Sequence, residues 1–449
     1  MDTLNVEQIL SQLRVMLEHD KLDDAVRALQ RLRAPDQADV LAELNPAEQI
    51  AIFPQLPPAK SADILEDMAD HTAGQIITAL PRETAVSIVD QMEPDEVADV
   101  LGSIPAPEAQ AILTRLEDPD EVRPLLLHPD TSAGGIMTSE FLALRRRMTA
   151  ADAIQAIRDW KPAIEAIYYL FVVDKSGRLC GVVNLRQLLV AEPKAPLSEI
   201  MDEDVISVHV GIDREECAKL MQRYDLLALP VVDDDNLLLG LITIDDVMDV
   251  LEAETTEDIQ RLGGAQPLEK PYLGTNVFSV MRKRIGWLLL LFVTESLTGS
   301  VLRHFEGQLQ SVVSLAYFVP LLIGTGGNAG SQTTSTIIRA LAIGEVRLGD
   351  VLRAWWHEFR AGLMLGLAMG VVAFARALLW GSDMALAFAV ATAIYVIVLW
   401  ANSLGALLPI LAARLKIDPT VVSGPVMSTL VDATGLFIYF SIARIILHI

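Results

Sequence analysis

Two stretches decide how this chain is read: Pro320–Leu341, PLLIGTGGNAGSQTTSTIIRAL, and Leu404–Phe440, LGALLPILAARLKIDPTVVSGPVMSTLVDATGLFIYF. Both are long and almost free of charge, and each carries polar residues where a spanning segment would lie deepest. In the second, counting in fours back from Asp432 gives Ser428 and Gly424, and three forward gives Gly435. One helix face therefore holds small residues around a single carboxylate, where helices can approach closely and backbone carbonyls stay accessible. Gly424-Pro425 predicts a local opening of that helix, and GTGGNAGSQTTST predicts a Gly-rich and hydroxyl-rich break at membrane depth. The second motif fails as a phosphate loop, because it lacks the Walker lysine and follows an apolar helix instead of a strand.

Working outward, apolar runs of spanning length fill the rest of the C-terminal part. Five spans fit, at about 285–302, 311–341, 359–380, 384–413 and 421–446, each able to cross the ~30 Å hydrocarbon layer. Arg282, Lys283 and Arg284 precede the first, Arg339, Arg347 and Arg353 follow the second, and Arg414 and Lys416 follow the fourth. The excess of basic residues on one side places the amino terminus inside and the carboxyl terminus outside. Up to Lys270 the chain carries a net charge of −28, and after it +4, so the overall −24 belongs to the first part. A field of that sign disfavours nucleic acid and attracts cations. The opening MDTLNVEQILSQL has no basic or apolar leader region, which predicts no cleaved signal and a cytoplasmic soluble part. Cys180 and Cys217 stand apart with no CxxC spacing, excluding disulfides and zinc as organising features.

The soluble part divides by repeat length. From Asn45 it can be cut every twelve residues, at Asn45, Pro57, Ala69, Pro81, Glu93 and Pro105. Each piece opens on a turn or helix-start residue and closes on an apolar pair. One short helix plus a turn cannot bury its apolar face alone, so residues 1–130 read as an α-helical solenoid. Residues 131–252 contain a longer unit twice: Ile136-Met137 and YLFVVDKSGRLCGVVNLRQLL, then Ile200-Met201 and LALPVVDDDNLLLGLITIDDVMDVL. Each half predicts a helix, a strand ending in Val-Val-Asp, a tight turn, a strand beginning at Gly181 or Gly240, and a closing helix. This order resembles a tandem pair of α/β CBS modules, and the resemblance implies an adenine-nucleotide cleft for ATP or AMP. The linking segment 253–275 continues the helical pattern of DDVMDVLEAETTEDIQRLGG to a stop at Gly263-Gly264.

Ionisable groups at membrane depth cost roughly 2.5–3.5 kcal/mol each, so they face a partner helix or a polar path. Asp432 and Glu295 are the two candidates. Each also has an ordinary structural reading: a bond from a neighbouring helix's Ser, Thr or Asn, or a neutral carboxyl, for Asp432, and local satisfaction by Thr294 and Ser296 for Glu295; that of GTGGNAGSQTTST is a tightly packed helix pair. Mg²⁺ sheds water reluctantly and is commonly held by one or two carboxylates through retained waters.

The two opening motifs, with the order of helical N domain, CBS pair, linking helix and five-helix transmembrane domain (276–449), closely resemble the MgtE magnesium channels. The resemblance implies a homodimer in lipid, with a pore along its two-fold axis and Asp432 of each subunit binding hydrated Mg²⁺. Ser428, through its backbone carbonyl, and Gly424 hold the other pore positions; some members carry Asn at the latter. It further implies a Mg²⁺-selective channel for uptake across the inner membrane, closed when intracellular Mg²⁺ binds among the N domain, the CBS pair and a linking "plug" helix. The matching positions are Asp95, Asp99 and Gly135, Asp213, Glu215 and Asp225 in the second CBS half, and Asp246, Asp249, Glu254, Glu257 and Asp258 along the helix. Asp418 stands before Pro419, where capping and metal contact compete; Asp63 is an additional candidate.

Two other readings use the same residues. In an exchanger, Glu295 and Asp432 would couple cation movement to H⁺ or Na⁺. In a non-transporting receptor the CBS pair would sense nucleotide, but an anchor needs no polar spans. An enzyme is disfavoured because no His, Cys or Ser stands in a catalytic arrangement.

Overall fold

A computed structural model of the 449-residue chain describes residues 3–19, 21–160, 169–268, 272, 275–422 and 424–449. Parts of four expected segments lie outside the described residues: residues 1, 2 and 20 of the solenoid, 161–168 of the first CBS half, 269–271 and 273–274 of the linking segment, and Ser423. The chain forms two compact units, Met1–Glu252 and Ala253–Ile449.

The twelve-residue phase is the phase of the helices. Asn45, Pro57, Ala69, Pro81, Glu93 and Pro105 are the N-cap residues of six successive helices, α4 (Pro46–Ile52), α5 (Pro58–Glu66), α6 (Asp70–Ala79), α7 (Arg82–Val89), α8 (Pro94–Ser103) and α9 (Ala106–Leu113). Three helices precede them, α1 (Thr3–Glu18), α2 (Leu22–Leu29) and α3 (Ala34–Ala42), and α10 (Pro119–Val122) follows. Asn45 closes a full capping box with Glu48, and proline fills the first turn of α4, α5 and α8, where its missing N–H has no partner to lose. The stacking is alternate: α3 packs on α5, α5 on α7 and α7 on α9, while α2 packs on α4, α4 on α6 and α6 on α8. Each short helix thus buries its apolar side between two rows, with Ile52, Ile64, Ile76, Ile88 and Val100 at twelve-residue spacing in the core.

The long repeat forms two three-stranded sheets, β1 (Ala143–Arg145), β2 (Tyr169–Val173) and β3 (Leu179–Asn184), then β4 (Val208–His209), β5 (Ala228–Val232) and β6 (Leu238–Thr243). In each the first strand is parallel and the third antiparallel to the second. The short strands β1 and β4 were not expected, and β3 and β6 begin two residues before Gly181 and Gly240. Asp174 and Asp233 shape the two turns identically. Asp174 accepts from the N–H groups of Ser176 and Arg178, and Asp233 from those of Asp235 and Leu237. Gly177 and Asn236 take the same left-handed position, and the turns bond to each other through Leu179 N–H to Asn236 O and Leu238 N–H to Gly177 O.

The Ile-Met openings cross between halves. Met201 packs on Gly181 and Met137 on Gly240, where an added Cβ would lie 2.5 and 2.8 Å from the sulfurs. The remaining helices are α11 (Ala150–Trp160), α12 (Leu185–Val190), α13 (Leu197–Ile200), α14 (Arg214–Tyr224) and α15 (Ile244–Leu262). The left-handed Gly264 follows the end of α15.

The second unit contains α16 (Val277–His304), α17 (Glu306–Ser311), α18 (Leu315–Ala342), α19 (Val351–Leu379), α20 (Met384–Arg414) and α21 (Gly424–Leu447). Among the described residues, α16, α19, α20 and α21 are long and apolar enough to cross a membrane. The 28-residue α18 is as long as α16, but its small and hydroxyl-bearing residues leave it without a comparably apolar spanning window. Two expectations are corrected here. Helix α18 runs unbroken through GTGGNAGSQTTST, because its glycines are filled by neighbours: a Cβ on Gly326 would lie 2.6 Å from Ile397 and one on Gly330 2.8 Å from Met427. Gly424-Pro425 begins α21 instead of opening it, since proline in a first turn forfeits no intrahelical bond.

Candidate cation sites

Gly424, Ser428 and Asp432 share one face of α21, and that face meets the Gly-rich part of α18. The Ser331 hydroxyl donates to the Gly424 carbonyl at 3.3 Å and stands 3.4 Å from the Ser428 hydroxyl. One turn away, a Cβ on Gly327 would lie 3.2 Å from Ser428 Oγ and 3.6 Å from Asp432 Oδ1. The two opening motifs therefore build one small polar surface. Asp432 Oδ1 is buried and has no hydrogen-bond partner among the described residues. A buried acceptor in that condition calls for a cation or water, and the chemistry of the face, oxygen without nitrogen or sulfur, suits a hard ion.

Glu295 on α16 is exposed, and its like charge bears on Asp432. Local satisfaction does not occur. Thr294 donates to the Leu291 carbonyl at 2.9 Å and Ser296 to the Phe292 carbonyl at 3.4 Å, back along their own helix.

A second cluster lies within the first unit. Helix α8 contributes Asp95, Glu96 and Asp99, and the start of α15 contributes Asp245 and Asp246. Burial, reinforced by Asp95, Asp99, Asp246 and Asp70, pushes Glu96 up to about 9. Burial with Asp70, Asp130, Asp95 and Asp246 pushes Asp99 up to about 8. Asp246 reaches about 8 for the same reasons, burial and then Asp95, although the Thr243 hydroxyl donates to it at 2.5 Å. Asp95 is 8% exposed, accepts from Thr138 and leaves Oδ1 unpartnered.

Asp249 is also raised, by burial and then Glu252, Asp245 and Asp70. Asp63 touches the margin of this field, adding to the burial that raises Glu66 and Asp67. Among the described residues no three His, Cys, Asp or Glu side chains are close enough to hold one bare metal ion. Glu96, Asp70, Asp130 and Asp245 were not singled out from the sequence; adjacency to Asp95 and Asp246 was the available signal for two of them.

The other positions stand elsewhere. Asp213 caps α14, accepting from Glu215 N–H at 2.9 Å, Glu215 pairs with Lys219 at 2.6 Å, and Asp225 ends the helix in the left-handed region. Eleven helical residues separate Asp213 from Asp225 by about 16 Å, so they cannot share an ion. Gly135 follows the 132–134 segment, where Ala133 and Gly134 bond to Ile212 and Val210, and a Cβ there would lie 2.3 Å from the Pro129 carbonyl.

On α15, Glu257 pairs with Arg261, which also pairs with Asp418; Glu254 and Asp258 lie on the same helix. Asp418 caps the turn Pro419–Val421 through Thr420 N–H at 2.9 Å. Burial opposes its ionisation, but the bonds from Thr420 and Arg261 outweigh it and hold the carboxyl low. Arg261 was missed from the sequence, having been read only as part of a helix end.

Comparison with known proteins covers both units. A family described as a divalent cation transporter matches residues 319–442, an MgtE intracellular N domain matches 32–130, and CBS domains match 133–194 and 197–253. The magnesium transporter MgtE of Thermus thermophilus is 43% identical over 328 residues, 73% of each chain. That of Bacillus subtilis is 33% identical over 73% of this chain and 72% of its own. Among solved structures, the soluble part of a magnesium transporter is 29% identical and covers 56% of this chain and 99% of its own, with a TM-score of 0.50. The cytosolic domain of the Mg²⁺ channel MgtE in complex with ATP is 32% identical and covers 54% and 99%, with a TM-score of 0.51.

Proposed function

Because the chain belongs to the MgtE family of divalent cation transporters, we propose that it is a membrane channel for Mg²⁺ uptake that intracellular Mg²⁺ closes. The observation that carries this reading is the unpartnered Asp432 oxygen on a face built from Gly424, Ser428, Gly327 and Ser331. In a homodimer two such carboxylates would flank one axis. Two negative charges hold a hydrated divalent ion without trapping it, as conduction requires. Helix α18 then serves as the fifth span, and the loop arginines and lysines favour a cytoplasmic amino terminus and an external carboxyl terminus.

The working division is a helical N domain over 1–130, a CBS pair over 131–252, a linking segment over 253–275 that is helical as far as Leu262, and a pore domain over 276–449. Closure acts through the carboxylates of α8 and α15. Without Mg²⁺ they are either protonated or mutually repelled. Hydrated Mg²⁺ displaces the protons, screens the repulsion and draws α8 and α15 together. The Arg261–Asp418 pair ties the end of the linking helix to the entry of α21, so movement of that helix reaches the pore face. The CBS pair is the candidate ATP site, by likeness to the relative crystallised with that nucleotide.

The test is Mg²⁺ flux into liposomes from wild type and Asp432→Ala, with internal Mg²⁺ varied. Equal flux in the two proteins, or flux indifferent to internal Mg²⁺, refutes the assignment. The charge of Glu295 acting on Asp432 keeps an exchanger as the second reading. A current whose reversal potential shifts with H⁺ or Na⁺ would favour it.

A further inference from the structure

Helix α18 is polar on two sides. Ser331 faces α21, while Thr333, two residues on and about 200° around the helix, faces α19 and α20. There the Thr333 hydroxyl donates to Glu358 Oε2 at 3.2 Å. The Glu358 side chain is 16% exposed, and its other oxygen stands 3.6 Å from His357 Nδ1. Among the described residues no Lys or Arg pairs with it. Asn402 of α20 completes the junction. Its Cβ and Cγ lie 3.2 and 3.5 Å from where a Cβ on Gly362 would sit, one turn along α19 from Glu358. Gly405, three residues on, lies against the Gly330 carbonyl and Thr333. Asn402 is 1% exposed, and its Oδ1 has no hydrogen-bond partner.

We propose that this three-helix junction is a second cation site, binding a small monovalent cation, Na⁺, between the Glu358 carboxylate, the Thr333 hydroxyl oxygen and Asn402 Oδ1. The Thr333 proton points to Glu358, which leaves the hydroxyl lone pairs for the ion. One carboxylate balances one monovalent charge. Mg²⁺ fits poorly, because it gives up its water shell reluctantly and its second charge would meet no second carboxylate here. A buried amide oxygen without a donor gains from the ion what no protein group supplies. The site shares α18 with the Asp432 face but opens on the opposite side of that helix, so the ion fixes α18 without entering the path of Mg²⁺.

The test uses the full chain in nanodiscs with EDTA at pH 8. Thermal unfolding is followed by tryptophan fluorescence as NaCl replaces choline chloride at constant ionic strength. Wild type should gain a saturable rise in Tm that Glu358→Gln and Asn402→Leu lose. Thr333→Val, which keeps the shape of the side chain, should need roughly tenfold more Na⁺ for half the effect. Equal Tm in Na⁺ and choline overturns the proposal, as does a saturable Na⁺ effect that persists in Glu358→Gln. A Glu358-dependent rise with Mg²⁺ but not Na⁺ overturns the monovalent assignment. Should Glu358→Gln fail to fold, an unchanged midpoint in Thr333→Val overturns it as well.

Discussion

Replacing Asp99 by Asn removes one charge from the α8–α15 cluster while keeping the shape of the side chain. Burial and the carboxylates of Asp70, Asp130, Asp95 and Asp246 push Asp99 up to about 8. Against an ordinary value of 3.8, holding it ionised costs up to roughly 6 kcal/mol. Glu96 and Asp246 experience the same repulsions from their own side, so deleting one carboxyl recovers only a share, about 1–2 kcal/mol. The folded values lie above the unfolded ones, so the folded state binds more protons between about pH 4 and pH 8–9. Stability of this unit is therefore fully present below pH 4 and is lost as pH rises through about 8–9 when no Mg²⁺ is present.

Hydrogen exchange of the α8 amides in the full-length protein, with EDTA, reads the difference at each pH. Asp99→Asn should exchange about 5–30 times more slowly than wild type at pH 8, with the gap narrowing towards pH 5. Millimolar Mg²⁺ should protect wild type more than the variant and close that gap. Faster exchange in the variant at pH 8, or a gap of equal size at pH 5 and pH 8, would show that carboxylate repulsion does not set the stability of this face.

Asp432→Asn should leave Tm within a degree or two, since Oδ1 has no hydrogen bond to lose, yet reduce Mg²⁺ flux in liposomes at least about tenfold. Gly405→Ala places a Cβ 2.7 Å from the Gly330 carbonyl and should cost about 1–3 kcal/mol of stability. Gly299→Ala, with nothing within 4 Å, is its neutral control in the same thermal melt. Asp418→Asn removes the partner of Arg261 and one half of the cap. Because the pair is partly solvated, the loss should be about 1 kcal/mol or less at neutral pH. It should shrink as pH falls below the ordinary carboxylate value and vanish once pH passes the lowered value of the folded state, since a carboxyl held low stabilises only where it is ionised.

What the sequence made legible was whatever repeats. The twelve-residue phase located six N-caps because each helix start uses local chemistry, a capping side chain or a first-turn proline. The Val-Val-Asp turns were legible for the same reason: Asp174 and Asp233 bond to their own backbone. Errors arose where tertiary neighbours override local preference. Glycine weakens an isolated helix by about 1 kcal/mol per residue, so GTGGNAGSQTTST read as a break, yet packing against Ile397, Met427 and Ser428 keeps α18 helical. The strands β1 and β4, three and two residues long, carry too little pattern to read. For the acidic residues, spacing revealed pairs on a helix face, but burial came only from the stacking of α8 within the first unit. This stacking draws in Glu96 and Asp70, while Asp213 and Asp225 remain tied to the ends of α14.

The polarity of α18 follows from its surroundings. Gly326 meets Ile397 and Val431, Gly327 meets Ser428 and Asp432, Gly330 meets Met427, Ser331 meets Gly424 and Thr333 meets Glu358. These residues occupy successive positions around one helix, and their partners lie on α19, α20 and α21. On the sides that meet these helices α18 needs no apolar surface, so it can hold small and hydroxyl-bearing residues there, while its remaining face, with Asn328, Gln332, Ser335 and Thr336, is exposed. Hydropathy therefore picks out α16, α19, α20 and α21 and passes over α18, which contributes these polar groups. In this chain the helix that hydropathy passes over is the one shared by the Asp432 face and the Glu358 junction, because its polar groups are met by side chains and backbone of neighbouring helices.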